Sequence, residues 1–202
     1  MRGKIIVLAL IIAVFYSAPA SSIVPADAAG FIEGLGTRAM AVLRQPGARD
    51  DAKEEQVRSL LSQNLDLDKI GQFVVGHHWR TMSSEQQTTY LTLFREFVPK
   101  TYADRLGGYS GDKFVIVGTS PVGQNDVLVA TQIERSAGPS LDAGWRVATE
   151  NGEPKIVDVV ISGVSMIMTQ RSEFASVIGR EGIDGLIGRL RSQLSSRTQP
   201  AR

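Results

Sequence analysis

The chain has 202 residues, 43% of them hydrophobic, with 22 Lys and Arg set against 21 Asp and Glu. This length suits one domain with a substantial core, and the balanced charge argues against a nucleic-acid binder, whose affinity depends on clustered Lys and Arg. The sequence holds no cysteine and two histidines. Disulfides, cysteine metal sites and thiol nucleophiles are therefore excluded, and we predict neither an enzyme nor a cofactor.

The N-terminus has the pattern of a secretory signal. Arg2 and Lys4 precede an uncharged apolar run over 5–15, and small residues with the A-x-A pattern follow at 26–28. The apolar run is too short to cross the roughly 30 Å of a bilayer core. We predict that residues 1–28 are a signal peptide removed after Ala28, with the A-x-A pattern at 18–20 as an alternative, and that the protein is periplasmic.

Helical patterns fill the next part of the chain. Apolar residues at helical spacing predict helices over 30–43, 50–64 and 67–75, the last ending at Gly76. The longest predicted helix begins with a capping box formed by Ser83 and Gln86 or by Ser84 and Gln87. Pro99 is expected to kink or divide that helix, because proline lacks a backbone donor.

The pattern then changes to β-rich runs separated by turn residues. Strands are predicted over 113–117, 126–134, 143–149 and 155–162, with Asn151-Gly152 as a strong hairpin signal. Helices follow over 164–179 and 183–194. The fold class is α+β: N-terminal helices, a four-stranded antiparallel meander sheet and C-terminal helices. We predict one domain over 29–196 and a disordered tail over 197–202.

Three chemical motifs have ordinary structural interpretations. Residues 34–39 match G-x-G-x-x-A, but no strand precedes them, so close packing of a helix explains the small residues better than a dinucleotide site. His77 and His78 are adjacent and lack further ligands for a metal. Ser165 follows Gly163 as in a nucleophile elbow, but the closing glycine is missing.

Apolar residues occur on both faces of the predicted sheet. Ile156 and Val160 alternate with Val157, Val159 and Ile161. An antiparallel sheet with one solvated face shows cleaner alternation. Either helices cover both faces, or one face lines an apolar cavity.

Three blocks of sequence resemble the MlaC-type family of periplasmic lipid-binding proteins, also described as toluene-tolerance auxiliary transport components. The blocks are L-D-L-D-K-I … V-G-H-H-W-R … S-S-E-Q-Q over 65–87, T-Y-A-D-R-L-G-G-Y over 101–109, and D-V-V-I-S-G-V-S from 158, continuing to 187. Pro154-Lys155 and Trp145-Arg146-Val147 depart from the common family pattern. These variants resemble the hopanoid-associated HpnM branch.

The resemblance implies an apolar cavity between sheet and helices that holds the tails of a phospholipid or hopanoid. It also implies that the protein shuttles between an inner-membrane ABC transporter with an MCE-domain protein and an outer-membrane lipoprotein complex. We predict that the protein is a monomer and binds no nucleic acid. The predicted lipid-binding residues are Tyr102, Leu106, Tyr109, Val129, Trp145, Val147, Val160, Val164, Met166 and Met168. The predicted headgroup or partner contacts are Arg80, Lys100, Arg105 and Arg171.

Two other classes of function stay open at this point. One is a hydrolase that uses Ser165 or an unrecognised pair of carboxylates, which loss of turnover on replacing His77 and His78 would support. The other is an envelope adaptor with a solid core.

Overall fold

The computed structural model describes residues 23–45, 49–106, 111–135 and 139–196. Most of the predicted signal segment, the predicted tail and Tyr109 lie outside these ranges, as do the side chains of residues 104–106. The helices are α1 (Pro25–Leu43), α2 (Asp50–Asn64), α3 (Leu67–Val75), α4 (Ser84–Leu106) and α5 (Met166–Ser196), with a 3₁₀ helix (Gly76–Thr81) after α3. The strands are β1 (Gly111–Val122), β2 (Asp126–Arg135), β3 (Leu141–Glu150), β4 (Glu153–Ile161) and β5 (Val164–Ser165).

The second and third helices begin and end where the sequence predicts. Helix α3 ends at Gly76, whose φ of 60° favours glycine. At its start, the Asp66 side chain accepts a hydrogen bond from the Lys69 amide at 3.0 Å. At the start of α2, Arg49 takes the cap position without a side-chain hydrogen bond.

The capping box at the start of α4 is confirmed. The Ser83 amide donates to Gln86 Oε1 at 3.0 Å, and the Gln86 amide donates to Ser83 Oγ at 3.1 Å. Pro99 does not divide the helix, which continues from Ser84 to Leu106. Among the described helices, none combines the length and the apolar character needed to cross a membrane.

The sheet is an antiparallel meander in the order β1-β2-β3-β4-β5. The predicted last hairpin is confirmed, with positive φ at Asn151 (49°) and Gly152 (84°). The sheet has five strands rather than four. Val164 and Ser165 pair with β4 before the last helix begins, so the prediction that a helix starts at Val164 is wrong.

Irregular pairing marks three places in the sheet. Strand β1 has register shifts between Gly111 and Lys113 and between Ile116 and Gly118. The pairing of β3 with β4 shifts between Arg146 and Val147, which leaves Val157 as an extra residue on β4. Because of this bulge, Ile156 and Val159 share one face of the sheet.

Helix α5 contains a break at Gly182, where φ is 71° and ψ is −176°. The break lies between the two C-terminal helices that the sequence predicts. The Glu181 carboxylate and the Arg189 guanidinium form an ion pair on either side of the break.

One main core joins the helices to one face of the sheet. From the sheet, Val127, Val129, Val147 and Ile156 enter this core. From the helices come, among others, Ile32, Val74, Tyr90, Phe94, Phe174, Leu186 and Leu190. The molecule is therefore an α+β fold with two layers, as predicted.

Candidate functional site

The face of the sheet that packs against the helices is apolar along its whole length, but its burial is uneven. We call it the inner face. Register places Val127, Val147 and Ile156 in one row across β2, β3 and β4, and their exposed fractions are 2%, 0% and 0%. Toward the opposite end of the strands Val129, Thr131 and Ala143 stay buried. Most of the apolar side chains of the same face are only half-buried there: Phe114, Ile133, Leu141, Trp145, Val159 and Ile161. The inner face therefore has a closed end and a more open end.

An aromatic pair lies near the open end. The rings of Phe114 and Trp145 have centroids 6.5 Å apart. Trp145 Nε1 donates a hydrogen bond to Thr131 Oγ1 at 2.9 Å, and Thr131 Oγ1 donates to the Ala143 carbonyl at 3.0 Å. These bonds satisfy the polar end of the indole and fix its orientation. The pair therefore presents apolar surface to any ligand at this end.

Helix α1 forms one wall of the inner face where it crosses β1. A Cβ added to Gly36 would lie 2.5 Å from two atoms of the Phe114 ring. Only glycine permits this approach without movement of the ring. The G-x-G-x-x-A motif lies inside α1 and follows no strand, so the close-packing interpretation of Gly36 is confirmed.

Three of the predicted lipid-binding residues lie together on the inner face. Val129 and Val147 are fully buried there, and Trp145 pairs directly with Val129. Tyr102 is half-buried and packs against the same core from α4. The side chain of Leu106 and all of Tyr109 lie outside the described residues.

Val160 occupies the opposite face of the sheet from these residues. It pairs with Gly144, and a Cβ on that glycine would contact Val160 and Leu128. The expectation that Val160 shares a face with Val129 and Trp145 is wrong. Strand alternation puts its neighbour Val159, rather than Val160, opposite Trp145.

Two other predicted lining residues are exposed. Val164 and Met168 have exposed fractions of 54% and 51%, whereas Met166 is half-buried. Val164 is exposed because it lies on the edge strand β5, where it pairs with Ile161 and so shares the inner face. Met168 then falls in the first turn of α5 on its solvent side.

The predicted basic residues lie on different elements. Arg171 Nη1 donates to the Phe73 carbonyl at 2.8 Å, and its guanidinium carbon lies 4.8 Å from the centroid of the Phe73 ring. Lys100 Nζ donates to the Leu194 carbonyl at 3.4 Å. Arg80 is exposed on the 3₁₀ helix, and the side chain of Arg105 lies outside the described residues. The structure does not bring Arg80, Lys100 and Arg171 together at one point.

A surface cavity of about 770 Å³ lies between α2, α4 and the end of α5. It is lined by Glu55, Arg58, Ser59, Ser62, Gln63, Arg95, Glu96, Pro99, Lys100, Leu194 and Ser195. Its cations are paired, Arg95 with Asp68 at 2.6 and 2.8 Å and Arg58 with Glu55. A smaller cavity of about 310 Å³ shares Ser62 and Arg95 with it. Charged side chains line both cavities, so the apolar inner face is the better candidate for acyl chains.

Ser165 and the histidines have structural roles in the described part of the chain. Ser165 Oγ donates to Asp158 Oδ2 at 2.7 Å and accepts from the Met168 amide at 3.2 Å. Asp158 Oδ1 accepts from the Ile167 amide at 3.2 Å, so the two side chains cap α5. No local signal predicts this role of Asp158, because its contact with Ser165 depends on the pairing of β4 with β5.

The rings of His77 and His78 stack on the 3₁₀ helix, with centroids 3.9 Å apart. Desolvation, followed by the charge of His77, lowers the pKa of His78. In the described ranges, three or more His, Asp or Glu side chains nowhere meet as a metal site.

Comparison with known proteins gives one family and two informative relatives. Residues 34–192 match the family model described as MlaC protein. The chain is 29% identical over 143 residues to the intermembrane phospholipid transport system binding protein MlaC of Haemophilus influenzae, covering 69% of this chain and 67% of the relative. It also superposes on the phospholipid-binding protein from Ralstonia solanacearum, solved in complex with a phospholipid, with a TM-score of 0.73 at 21% identity. That match covers 85% of this chain and 99% of the other.

Proposed function

This chain belongs to the MlaC family, and on that basis we propose that it is a non-enzymatic periplasmic carrier that binds a lipid by its acyl chains and transfers it between membranes. The named function of the Haemophilus relative and the bound phospholipid of the Ralstonia protein support the proposal. The cargo is a phospholipid or a hopanoid-type lipid.

The observation that carries the proposal is the uneven burial of the inner face. At the closed end, Val127, Val147 and Ile156 are covered by helices. At the open end, Phe114 and Trp145 are only half-covered. Apolar side chains that helices cover only in part can replace contacts with helices by contacts with a ligand. Acyl chains would enter beside the aromatic pair and separate the helices from the sheet.

The size of the hydrophobic effect explains why such a carrier is needed. A two-tailed lipid carries about thirty methylenes, and exposing each to water costs about 0.8 kcal/mol, roughly 24 kcal/mol in total. Shelter on an apolar face removes most of this barrier. Because apolar contacts are non-directional, the lipid can leave again without breaking strong polar bonds.

The partners belong to the same proposal. They are an inner-membrane ABC transporter with an MCE-domain protein and an outer-membrane lipoprotein complex, which the family resemblance implies. The carrier would travel between them as a monomer.

The first test is mass spectrometry of an organic extract from the exported protein, purified without detergent. We expect one phospholipid or hopanoid per chain, and the spectrum would identify the cargo. A lipid-free protein that also refuses added lipid would contradict the carrier and favour the adaptor with a solid core.

A matched pair of variants tests the position of the site. Val159 and Val160 are adjacent, half-buried and on opposite faces of β4. We expect Val159→Trp to fill the inner face and lower bound lipid to less than about half, because it takes the volume of the ligand. Val160→Trp should retain the wild-type lipid content. Equal lipid content in the two folded variants would contradict a site on the inner face.

A further inference from the structure

The indole of Trp145 lies across the inner face of the sheet. Register pairs Trp145 with Val129 of β2 and Val159 of β4. Its Nε1 nevertheless donates to Thr131 Oγ1, which lies further along β2 towards the open end, at 2.9 Å. The indole therefore crosses β2 towards the Phe114 ring on β1, whose centroid is 6.5 Å away. We call these two rings the aromatic bar.

The aromatic bar is held from both sides. Phe114 is pressed against α1, where Gly36 leaves no space for a Cβ. Thr131 is 1% exposed, and its Oγ1 donates to the Ala143 carbonyl while it accepts from the indole. If the indole turned away, its N–H would lose the partner it has on the sheet, which is unfavourable in a partly buried site. The bar is therefore a fixed feature of the inner face.

The inner face differs on the two sides of the aromatic bar. Towards the closed end, Val127, Val147 and Ile156 are at most 2% exposed. Towards the open end, the apolar side chains are accessible. Ile133, Leu141 and Ile161 are half-buried there, and Val164, which pairs with Ile161, is 54% exposed. An acyl chain that enters from the open end therefore meets the bar before it reaches the closed row.

The strand rise gives the depth of this accessible part. From Leu141 to Trp145, strand β3 advances by about 13 Å at about 3.3 Å per residue. From Leu141 to Val147 it advances by about 20 Å. The indole thus separates a shorter site from a longer one that would end at the closed row.

We propose that Trp145 ends the acyl site and thereby selects lipids by the length of their acyl chains. This inference rests on the proposed carrier function, because it concerns the same inner face. Trp145 contacts the methyl end of the chain, and Thr131 is a positioning residue that acts through the indole. Each methylene buried before the bar raises the affinity about fourfold. A methylene beyond the bar finds no apolar surface to cover and adds nothing.

The first test is calorimetric titration of the delipidated exported protein with saturated monoacyl phosphatidylglycerols of increasing chain length, each below its micelle concentration. In the wild type we expect the Kd to fall about fourfold per methylene up to one chain length and then to stay constant. In Trp145→Ala the Kd should continue to fall beyond that length, because about 7 Å of the inner face becomes accessible. The longest chain should then bind more than about tenfold tighter than the chain at the wild-type limit.

Three further variants show whether the indole itself sets the limit. Trp145→Phe keeps a ring in the core and should move the limit less than Trp145→Ala. Thr131→Val removes the hydroxyl that holds the indole, and it should also allow longer chains to gain affinity. The control is Leu128→Ala, a half-buried leucine on the opposite face that packs over Gly144. It should keep the wild-type limit, and circular dichroism checks that each variant is folded.

Fluorescence quenching tests the contact without reference to affinity. The chain has two tryptophans, so Trp79→Phe leaves Trp145 as the only one. In this background, monoacyl phosphatidylglycerol with bromine near its methyl end should quench the fluorescence more than the same lipid with bromine near its headgroup. Thr131→Val should reduce this difference, whereas a substitution that only lowers stability would not change it in the folded protein. Equal quenching by the two lipids would overturn the proposal.

The outcomes separate this inference from the carrier function. If the wild-type Kd falls along the whole series, or if the limit is the same in the wild type and in the folded Trp145 variants, the chain-length inference is wrong and the carrier function stands. If the wild type is purified without lipid and binds no member of the series, the carrier function is contradicted and the inference falls with it.

Discussion

At the scale of single residues, Gly36 shows how a small side chain sets the distance between two layers. Ala at this position should force the Phe114 ring to move, because the added Cβ would lie 2.5 Å from it. Overpacking of this kind costs about 1–3 kcal/mol, which exceeds the helix propensity gained by replacing Gly. We expect Gly36→Ala to lower the free energy of unfolding by about 1 kcal/mol in urea titrations.

Gly34 provides the matched control for this substitution. It lies in the same helix, and the nearest atom to an added Cβ is the mobile Arg38 guanidinium at 3.7 Å. Gly34→Ala should therefore stabilise the protein by about 0.5–1 kcal/mol. Stabilisation by both substitutions would show that α1 does not need the close approach to β1.

His78 provides a residue-scale prediction for pH. Its folded-state pKa lies below the ordinary value of 6.5, mainly because of desolvation and further because of His77. The unfolded chain therefore binds a proton more readily than the folded one as the pH falls below 6.5. Above pH 6.5 the free energy of unfolding has its full contribution from neutral His78. This contribution is lost as the pH falls from 6.5 through the lower pKa of the folded state.

This difference can be measured by melting temperatures of wild type and His78→Gln between pH 7.5 and 5. The wild type should lose more stability than the variant over this range. Parallel pH profiles would mean that the environment of His78 does not lower its pKa.

At the scale of elements, the start of α1 bears on the position at which the predicted signal peptide is cleaved. The helix begins at Pro25, Ile23 packs against the core and Ala28 has an exposed fraction of 0%. The Val24 carbonyl accepts from the Asp27 and Ala28 amides, both at 3.1 Å. Removal of residues 1–28 would delete this first turn.

We therefore expect cleavage after the A-x-A pattern at 18–20, and the intact mass of the exported protein would show it. A chain starting at Ala29 should be less stable by about 2 kcal/mol, since it lacks the apolar contacts of Ile23 and Ala28. An exported protein that begins at Ala29 and melts at the same temperature as the longer chain would contradict this.

The elements that sequence predicted well are those with local chemical signals. Ser83 and Gln86 form their capping box, Gly76 ends α3, and Asn151-Gly152 forms the hairpin turn. The errors depend on distant pairing. Strand β1 extends to Val122 because β2 provides partners as far as Asp126.

The same limit applies to the candidate site. Val129, Trp145 and Val147 share a face because alternation within a strand is a local rule. Val160 was assigned to the wrong face because alternation alone does not say which face of an apolar strand packs inward. Met168 was misplaced because its position depends on where the edge strand β5 ends, whereas Val164 pairs with Ile161 of the inner face and is exposed because β5 is the edge of the sheet.

At the scale of the whole molecule, cargo and stability are coupled. Lipid that binds only the folded chain stabilises it by about 2.7 kcal/mol at a free concentration of 100 times Kd. For a protein of this size that corresponds to a rise of about 5–10 °C in Tm. Delipidated protein should melt lower than loaded protein by this amount in differential scanning calorimetry, and added lipid should restore the Tm. Identical Tm values would mean that the ligand adds no contacts to the fold.

The two edges of the sheet bear on whether copies of the chain associate with each other. An uncovered strand is a template on which identical chains can stack into fibres. Here β1 has two register shifts and Pro121, while β5 has two residues. Each feature interrupts the regular row of amides that a stacking strand would need. If the inner face opens to exchange lipid, as proposed, these interruptions limit the joining of chains through their strand edges while it is open.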